Sequence, residues 1–365
     1  MLAAIMSGAM IDGRAPAESV PSDARFDWLM LAGATWLIAG IAIDGWAHNN
    51  IRPLIDTFFT PWHAILYSGY LATSAVLVVT VARNRSPDVT WRDALPRGYD
   101  AALVGMVVFG IAGFLDMVWH VAFGIEVDVG TLLSPTHLGL AIGGGLIITG
   151  PLRAAWLRTG DESWSRHLTA VVSLAGLVTL LTFMTQYANP FAGLAVSAGS
   201  EPVELTARLR DGSSLALERV IAWQEVRGIF GLLLQAGLVM GPVLMALRRA
   251  SLRPGDMTIA LGLNALVMLL MRGNLQALWP LLAYAIVAGI LGDALLLRLH
   301  PSSARPLAIR IFATAVPTAF TTGYFLTALG FPGGVWWALP DVTGTIVLTG
   351  ILGVLLSYLV FPGDR

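Results

Sequence analysis

Residues 98–122 read GYDAALVGMVVFGIAGFLDMVWHVA, and this stretch decides the fold. From Ala101 to Leu115 it holds no charged group. About 20 consecutive, mainly apolar residues suffice to cross the hydrocarbon core of a bilayer as a helix. Near its end the run carries one acid, Asp116, and four residues later one histidine, His120. An ionisable pair inside a span is costly in hydrocarbon and by default marks function.

Similar apolar runs recur along the 365 residues, at 28–48, 61–83, 136–158, 167–187, 221–247, 257–273, 275–297, 307–330 and 341–361. Composition agrees with them. The chain is 56% hydrophobic and 12% charged, with mean hydropathy +0.73. A soluble domain carries roughly 25% charged residues. The sequence therefore predicts an all-α fold, a polytopic helical bundle of about ten membrane-spanning helices whose first partner is the lipid bilayer. Residues 1–26 read as a cytoplasmic tail, residues 27–160 as a first half and residues 161–365 as a second. The tail is no convincing signal peptide, since its apolar stretch before Asp12 is short and lacks a basic flank.

Arginine sets the expected orientation. All 22 basic residues are Arg, and they gather in alternate connections. Arg83, Arg85, Arg92 and Arg97 lie in one, Arg153, Arg158 and Arg166 in the next on the same side, then Arg248, Arg249 and Arg253, then Arg298 and Arg305. By the positive-inside rule both termini are cytoplasmic, in a bacterial inner membrane. The connection 188–220 breaks the pattern with Arg208, Arg210 and Arg219. Its period-two alternation around Asp211-Gly212 predicts a small outer β-hairpin near 203–219.

Composition also excludes chemistry. A net charge of −1 gives no reason to expect nucleic acid. The absence of Cys removes disulfides, thiolate metal sites and cysteine nucleophiles. The absence of Lys removes lysine Schiff bases.

The Asp116–His120 pair has a twin. Asp44-Gly-Trp-Ala-His48 precedes Phe-Phe-Thr-Pro-Trp-His63, and Asp116-Met-Val-Trp-His120 precedes Leu-Leu-Ser-Pro-Thr-His137. The copies lie 72 residues apart at Asp and first histidine, and 74 apart at the second. Four of the chain's six histidines are thereby accounted for. Residues i and i+4 share one helix face. Thr-Pro or Ser-Pro suits the start of the next helix, placing the second histidine in its first turn. Each hairpin thus offers two imidazoles and one carboxylate, near the outer face. Asp44, His48, His63, Asp116, His120 and His137 are the candidate metal ligands. Such a donor set suits copper(II), non-haem iron, zinc or manganese. A bis-histidine haem between the hairpins is a rival, and a plain Asp–His tie between helix ends is the bland reading.

Lesser candidates surround them. Glu126 and Asp128 extend the outer connection beside His120, and Tyr67 lies one turn after His63, placed to orient it. Glu225 and Arg227 suggest a mutual pair. Asp293 calls for neutralisation by Arg298 or Arg310. His167 and His300 stand apart on the cytoplasmic side. Gly143-Gly144-Gly145 suggests close helix packing.

The doubled phrase resembles the third, histidine-bearing membrane subunit of the copper membrane monooxygenases, the particulate methane and ammonia monooxygenase family. There an Asp-x3-His with a further histidine is followed, some seventy residues on, by an Asn-x3-His…His set. Asp44, His48 and His63 match the first set, and Asp116, His120 and His137 the second. The resemblance covers about residues 30–145. It departs in having Asp116 where the family has Asn, and in its 14 and 16 residues between histidines. It implies two neighbouring copper sites near the outer side and oxidation of a small apolar substrate by dioxygen. Partner membrane subunits and a quinol donor would serve that chemistry. From another class, capture of periplasmic metal for transport or delivery fits the same residues, as does a metal that staples the hairpins of a structural subunit.

Overall fold

The computed structural model describes residues 23–51, 57–87, 89–124, 132–158, 163–194, 196, 214–250 and 252–362. Among them are eleven α-helices: α1 (Ala24–Asn50), α2 (Pro61–Asn84), α3 (Asp100–Phe123), α4 (Pro135–Ile148), α5 (Gly150–Leu157), α6 (Trp164–Met184), α7 (Ser214–Arg249), α8 (Asp256–Met271), α9 (Leu275–Leu299), α10 (Pro306–Ala328) and α11 (Leu339–Val360). Each apolar run of the sequence falls on one of these helices, or on the α4–α5 pair. Seven helices are long and apolar enough to cross a membrane, eight if the bent α4–α5 pair counts as one span. The chain has the architecture of a multi-pass helical membrane protein. The expected ten spans exceed this count because α8, with 16 residues, is short and α10 is not among the seven. The helices most apolar all round turn large side chains outward, as at Leu71, Ile111, Phe114, Val121 and Phe123, the pattern expected for lipid contact.

No β-hairpin is found among the described residues of the 203–219 stretch. Residues 214–219 are the opening turns of α7, and 203–213 lie outside the described residues. Leu, Ala, Glu and Arg there are strong helix formers without a β-branched run. Five alternating residues fit a helix continuous with the following span as well as a strand.

Successive helices pair as antiparallel neighbours: α1 with α2, α3 with α4, α8 with α9, α10 with α11. The helix α6 sits between the halves, packed on α1, α4 and α5 on one side and on α7 and α8 on the other. Close approach in the first two hairpins rests on glycine. A Cβ on Gly69 would meet the Leu37 backbone nitrogen at 2.6 Å, and one on Gly143 the Phe109 backbone nitrogen at 2.6 Å. The Gly143 end of the triple-glycine run is therefore a packing device, as in other membrane helix pairs.

The α4–α5 break follows from Pro151, which cannot donate to a helical carbonyl. The axis bends 40° there. Ser173 Oγ donates to the Ile148 carbonyl (2.5 Å), and Arg153 donates to the Leu146 carbonyl (2.7 Å) and the Gly98 carbonyl (3.1 Å). Freed backbone oxygens are thus satisfied inside the protein, as hydrocarbon demands.

Charges within the bundle are tied down similarly. Asp27, fully buried, accepts from Arg158 Nη1 and from the Tyr99 hydroxyl, both at 2.7 Å. His167 is not isolated: its Nε2 lies 2.9 Å from both Asp256 oxygens, and the pair joins α6 to the start of α8. Asp293 is met by the Met257 and Thr258 N–H groups (3.0 and 3.2 Å) and the Thr258 hydroxyl (2.6 Å), so a helix N-terminus answers its charge. Arg310 instead bonds the Ser357 and Phe361 carbonyls and covers the Tyr358 ring. Arg227 bonds the Tyr187 carbonyl (2.6 Å) rather than Glu225.

Replacing Asp27 by Ala removes the carboxylate that Arg158 Nη1 and the Tyr99 hydroxyl both engage. Thermal or denaturant unfolding in detergent should show a loss of about 3–5 kcal/mol, the cost of breaking a buried pair from one side.

Candidate metal centres

Both copies of the phrase build the same local structure. Thr60 and Ser134 are N-caps, accepting from the backbone N–H of His63 (3.1 Å) and His137 (3.3 Å). Pro61 and Pro135 follow at the first helical position, where a missing N–H costs nothing. This fixes each second histidine one turn inside its helix, back against the end of the preceding one. Asp44 and His48 lie in the last turns of α1, and Asp116 and His120 in those of α3.

Six sequence-derived ligands therefore form two groups of three. Asp44, His48 and His63 present ligand atoms within 4.8 Å of one another, as do Asp116, His120 and His137. In the first centre Asp44 Oδ1 is 3.4 Å from His63 Nε2, and Oδ2 is 3.8 Å from His48 Nε2. In the second Asp116 Oδ2 is 3.5 Å from His120 Nε2, and Oδ1 is 3.3 Å from His137 Nδ1. These separations exceed an ordinary N–H···O bond. They match ligand atoms sharing one ion: bonds of about 2.1 Å at a tetrahedral angle put neighbouring donors roughly 3.4 Å apart.

The first centre gives two further signs of fit. His63 Nδ1 donates to the Phe58 carbonyl at 2.5 Å. A carbonyl only accepts, so in the neutral ring Nε2 carries a lone pair, and that lone pair faces another acceptor, Asp44 Oδ1. Among the described residues this oxygen is also buried without a hydrogen-bond partner. Asp44 Oδ1 and His63 Nε2, 3.4 Å apart with no hydrogen bond to that oxygen, suit a shared cation between them, a proton or a metal ion. Orientation of a histidine by a backbone carbonyl is the usual support for a metal ligand.

The second centre is finished differently. Thr136, at the position Trp62 takes in the first copy, donates its hydroxyl to Asp116 Oδ1 at 2.7 Å. Ser134 Oγ lies 3.1 Å from the Thr136 hydroxyl and 2.7 Å from His137 Nδ1. His120 Nδ1 faces the Gly124 carbonyl at 3.4 Å.

The centres adjoin. The Phe58 ring lies 4.6 Å from His63 and 6.1 Å from His120, so one aromatic ring stands between ligands of different centres. Tyr67 packs 5.9 Å from Phe58, but its hydroxyl points to the Gly113 carbonyl (3.5 Å), so it walls the site and does not orient His63. Behind His48, Asn49 donates to Gln186 (3.0 Å) and accepts from Arg272 (2.6 Å), tying the first centre's helix to the second half. Glu126 and Asp128 lie outside the described residues. Sequence reasoning missed Phe58 and Thr136. A backbone carbonyl leaves no sequence signal, and Thr136 stood at a variable place in the phrase.

In metal-free protein the two acids should answer amide substitution oppositely. Asp44→Asn puts an N–H donor against the His63 lone pair and should hold or raise the melting temperature. Asp116→Asn weakens the Thr136 bond and should cost about 1–3 kcal/mol by thermal unfolding.

Comparison with known protein families, with curated proteins and with solved structures returns no match to this chain.

Proposed function

We propose that this chain is a membrane metalloprotein in which two hairpins each hold one ion, and that it is an oxidoreductase. The observation that carries the reading is the doubled triad: three ligands per hairpin, at separations that suit one shared ion, with an unpartnered buried carboxylate oxygen in the first. Copper is the favoured ion. Two imidazoles with an oxygen ligand and no thiolate suit copper(II), and iron or zinc is the runner-up. The resemblance to the copper membrane monooxygenases supports the same choice.

When bound, copper supplies one-electron and dioxygen chemistry. The chain's own groups do the rest. Asp44 and Asp116 offset the ion's charge, the Phe58 carbonyl holds the His63 tautomer, and the Phe58 and Tyr67 rings give the first centre an apolar flank. In the proposed reaction one atom of dioxygen enters the substrate and the other leaves as water. A quinol supplies the two electrons and two protons. The proposed setting is a bacterial inner membrane, with the centres toward the outer face and both termini inside.

Metal analysis with EPR on purified protein, beside His48→Ala and His120→Ala, tests the ion. We expect two coppers in the wild type and one in each variant. Quinol-dependent oxygen uptake with a small hydrocarbon or ammonia tests the reaction, and each variant should lower it roughly a hundredfold. Metal accumulation in vesicles that needs His48 and His120, without oxygen uptake, would establish transport instead. Unchanged activity of the surrounding complex after replacing all four histidines, with lower thermal stability, would establish a structural staple.

A further inference from the structure

The two centres share ligands but differ in what holds those ligands before an ion arrives. In the first, Asp44 Oδ1 has no hydrogen-bond partner among the described residues and faces His63 Nε2 at 3.4 Å. In the second, Asp116 Oδ1 accepts from Thr136, and His137 Nδ1 is engaged with Ser134. Access differs as well. The Asp44 and His48 side chains are 15% and 26% exposed, against 3% and 4% for Asp116 and His120, while the second histidines reverse the order, His63 at 10% and His137 at 21%.

We propose that the centres are inequivalent: a divalent ion fills the α1–α2 centre first, and the α3–α4 centre fills second because Thr136 and Ser134 compete for its ligands. This rests on the reading of both triads as metal sites. An ion at the first centre satisfies the one buried Asp44 oxygen that has no hydrogen bond, so binding recovers a cost already present in the metal-free protein. An ion at the second must draw Asp116 and His137 from hydroxyl partners that already satisfy them. A charge-assisted hydrogen bond corresponds to roughly tenfold or more in an equilibrium constant. The residue opposite Thr136 in the first copy, Trp62, has no hydroxyl to offer, so the difference is written into the repeat itself.

Cobalt(II) titration of the full-length protein in detergent, followed by its visible spectrum, tests this. The wild type should show two steps about tenfold apart. His63→Ala should remove the tighter step and His120→Ala the weaker. Thr136→Val should strengthen the weaker step about tenfold and leave the tighter one unchanged, while Thr136→Ser, which keeps the hydroxyl, should behave as wild type. Circular dichroism and size-exclusion profiles confirm that each variant folds. Equal steps, loss of the tighter step in His120→Ala, or weakening of the second step by Thr136→Val would each overturn the inequivalence while leaving two metal sites standing. The last result would mean that Thr136 orients Asp116 for the ion and does not compete with it. Failure to retain any cobalt would overturn both this inference and the metalloprotein reading.

Discussion

Hydrocarbon cannot hydrogen-bond, so every charge and every freed backbone group inside this bundle must find its partner in the protein. The rest of the structure follows from that constraint. Asp27 closes on Arg158 and Tyr99, Asp256 on His167, and Asp293 on the first N–H groups of α8. The carbonyls released at Pro151 are taken up by Ser173 and Arg153. A buried run of side chains, Asn189, Gln235, Asn264 and Thr182, bonds end to end between α6, α7 and α8. Six buried side-chain polar atoms lack a hydrogen bond among the described residues, and Asp44 Oδ1 is the one carboxylate oxygen of the six. Its place beside two imidazoles makes it a candidate ligand.

The hairpin is the unit that builds each centre. An N-cap hydroxyl, a proline and a histidine start the second helix, while an Asp–His pair ends the first. The two ends meet because glycine lets the helices approach closely, as at Gly69 against Leu37 and Gly143 against Phe109. Duplication then places two such units side by side with Phe58 between them. The second half supports the first through α6, and through Asn49, Gln186 and Arg272 behind His48. This gives residues 161–365 a mechanical role beside the centres without adding a third ligand group among the described residues.

Much of this was legible in the residues. Hydropathy located the helices because a span must be long and apolar, and rare histidines at matching intervals located the two Asp/His groups that the fold brings together. Where reading failed, a local pattern was ambiguous or the partner was distant. Leu215 to Glu218 alternate like a strand yet join a helix, because helix propensity and the adjoining span outweigh so short a pattern. His167 looked solitary because Asp256 lies 89 residues away. Asp293 suggested an arginine, but a helix N-terminus carries no mark beyond its own sequence.

By itself, then, the sequence determined the membrane class, the helices and the repeated ligand set, since each depends on residue type and spacing along one segment. Only the tertiary structure decided how the copies differ. Whether a carboxylate oxygen accepts from a hydroxyl, as Asp116 does from Thr136, or only faces a ring nitrogen at 3.4 Å, as Asp44 faces His63, depends on which groups packing brings close to it. That is a property of position in space, and two nearly identical phrases can end with opposite answers.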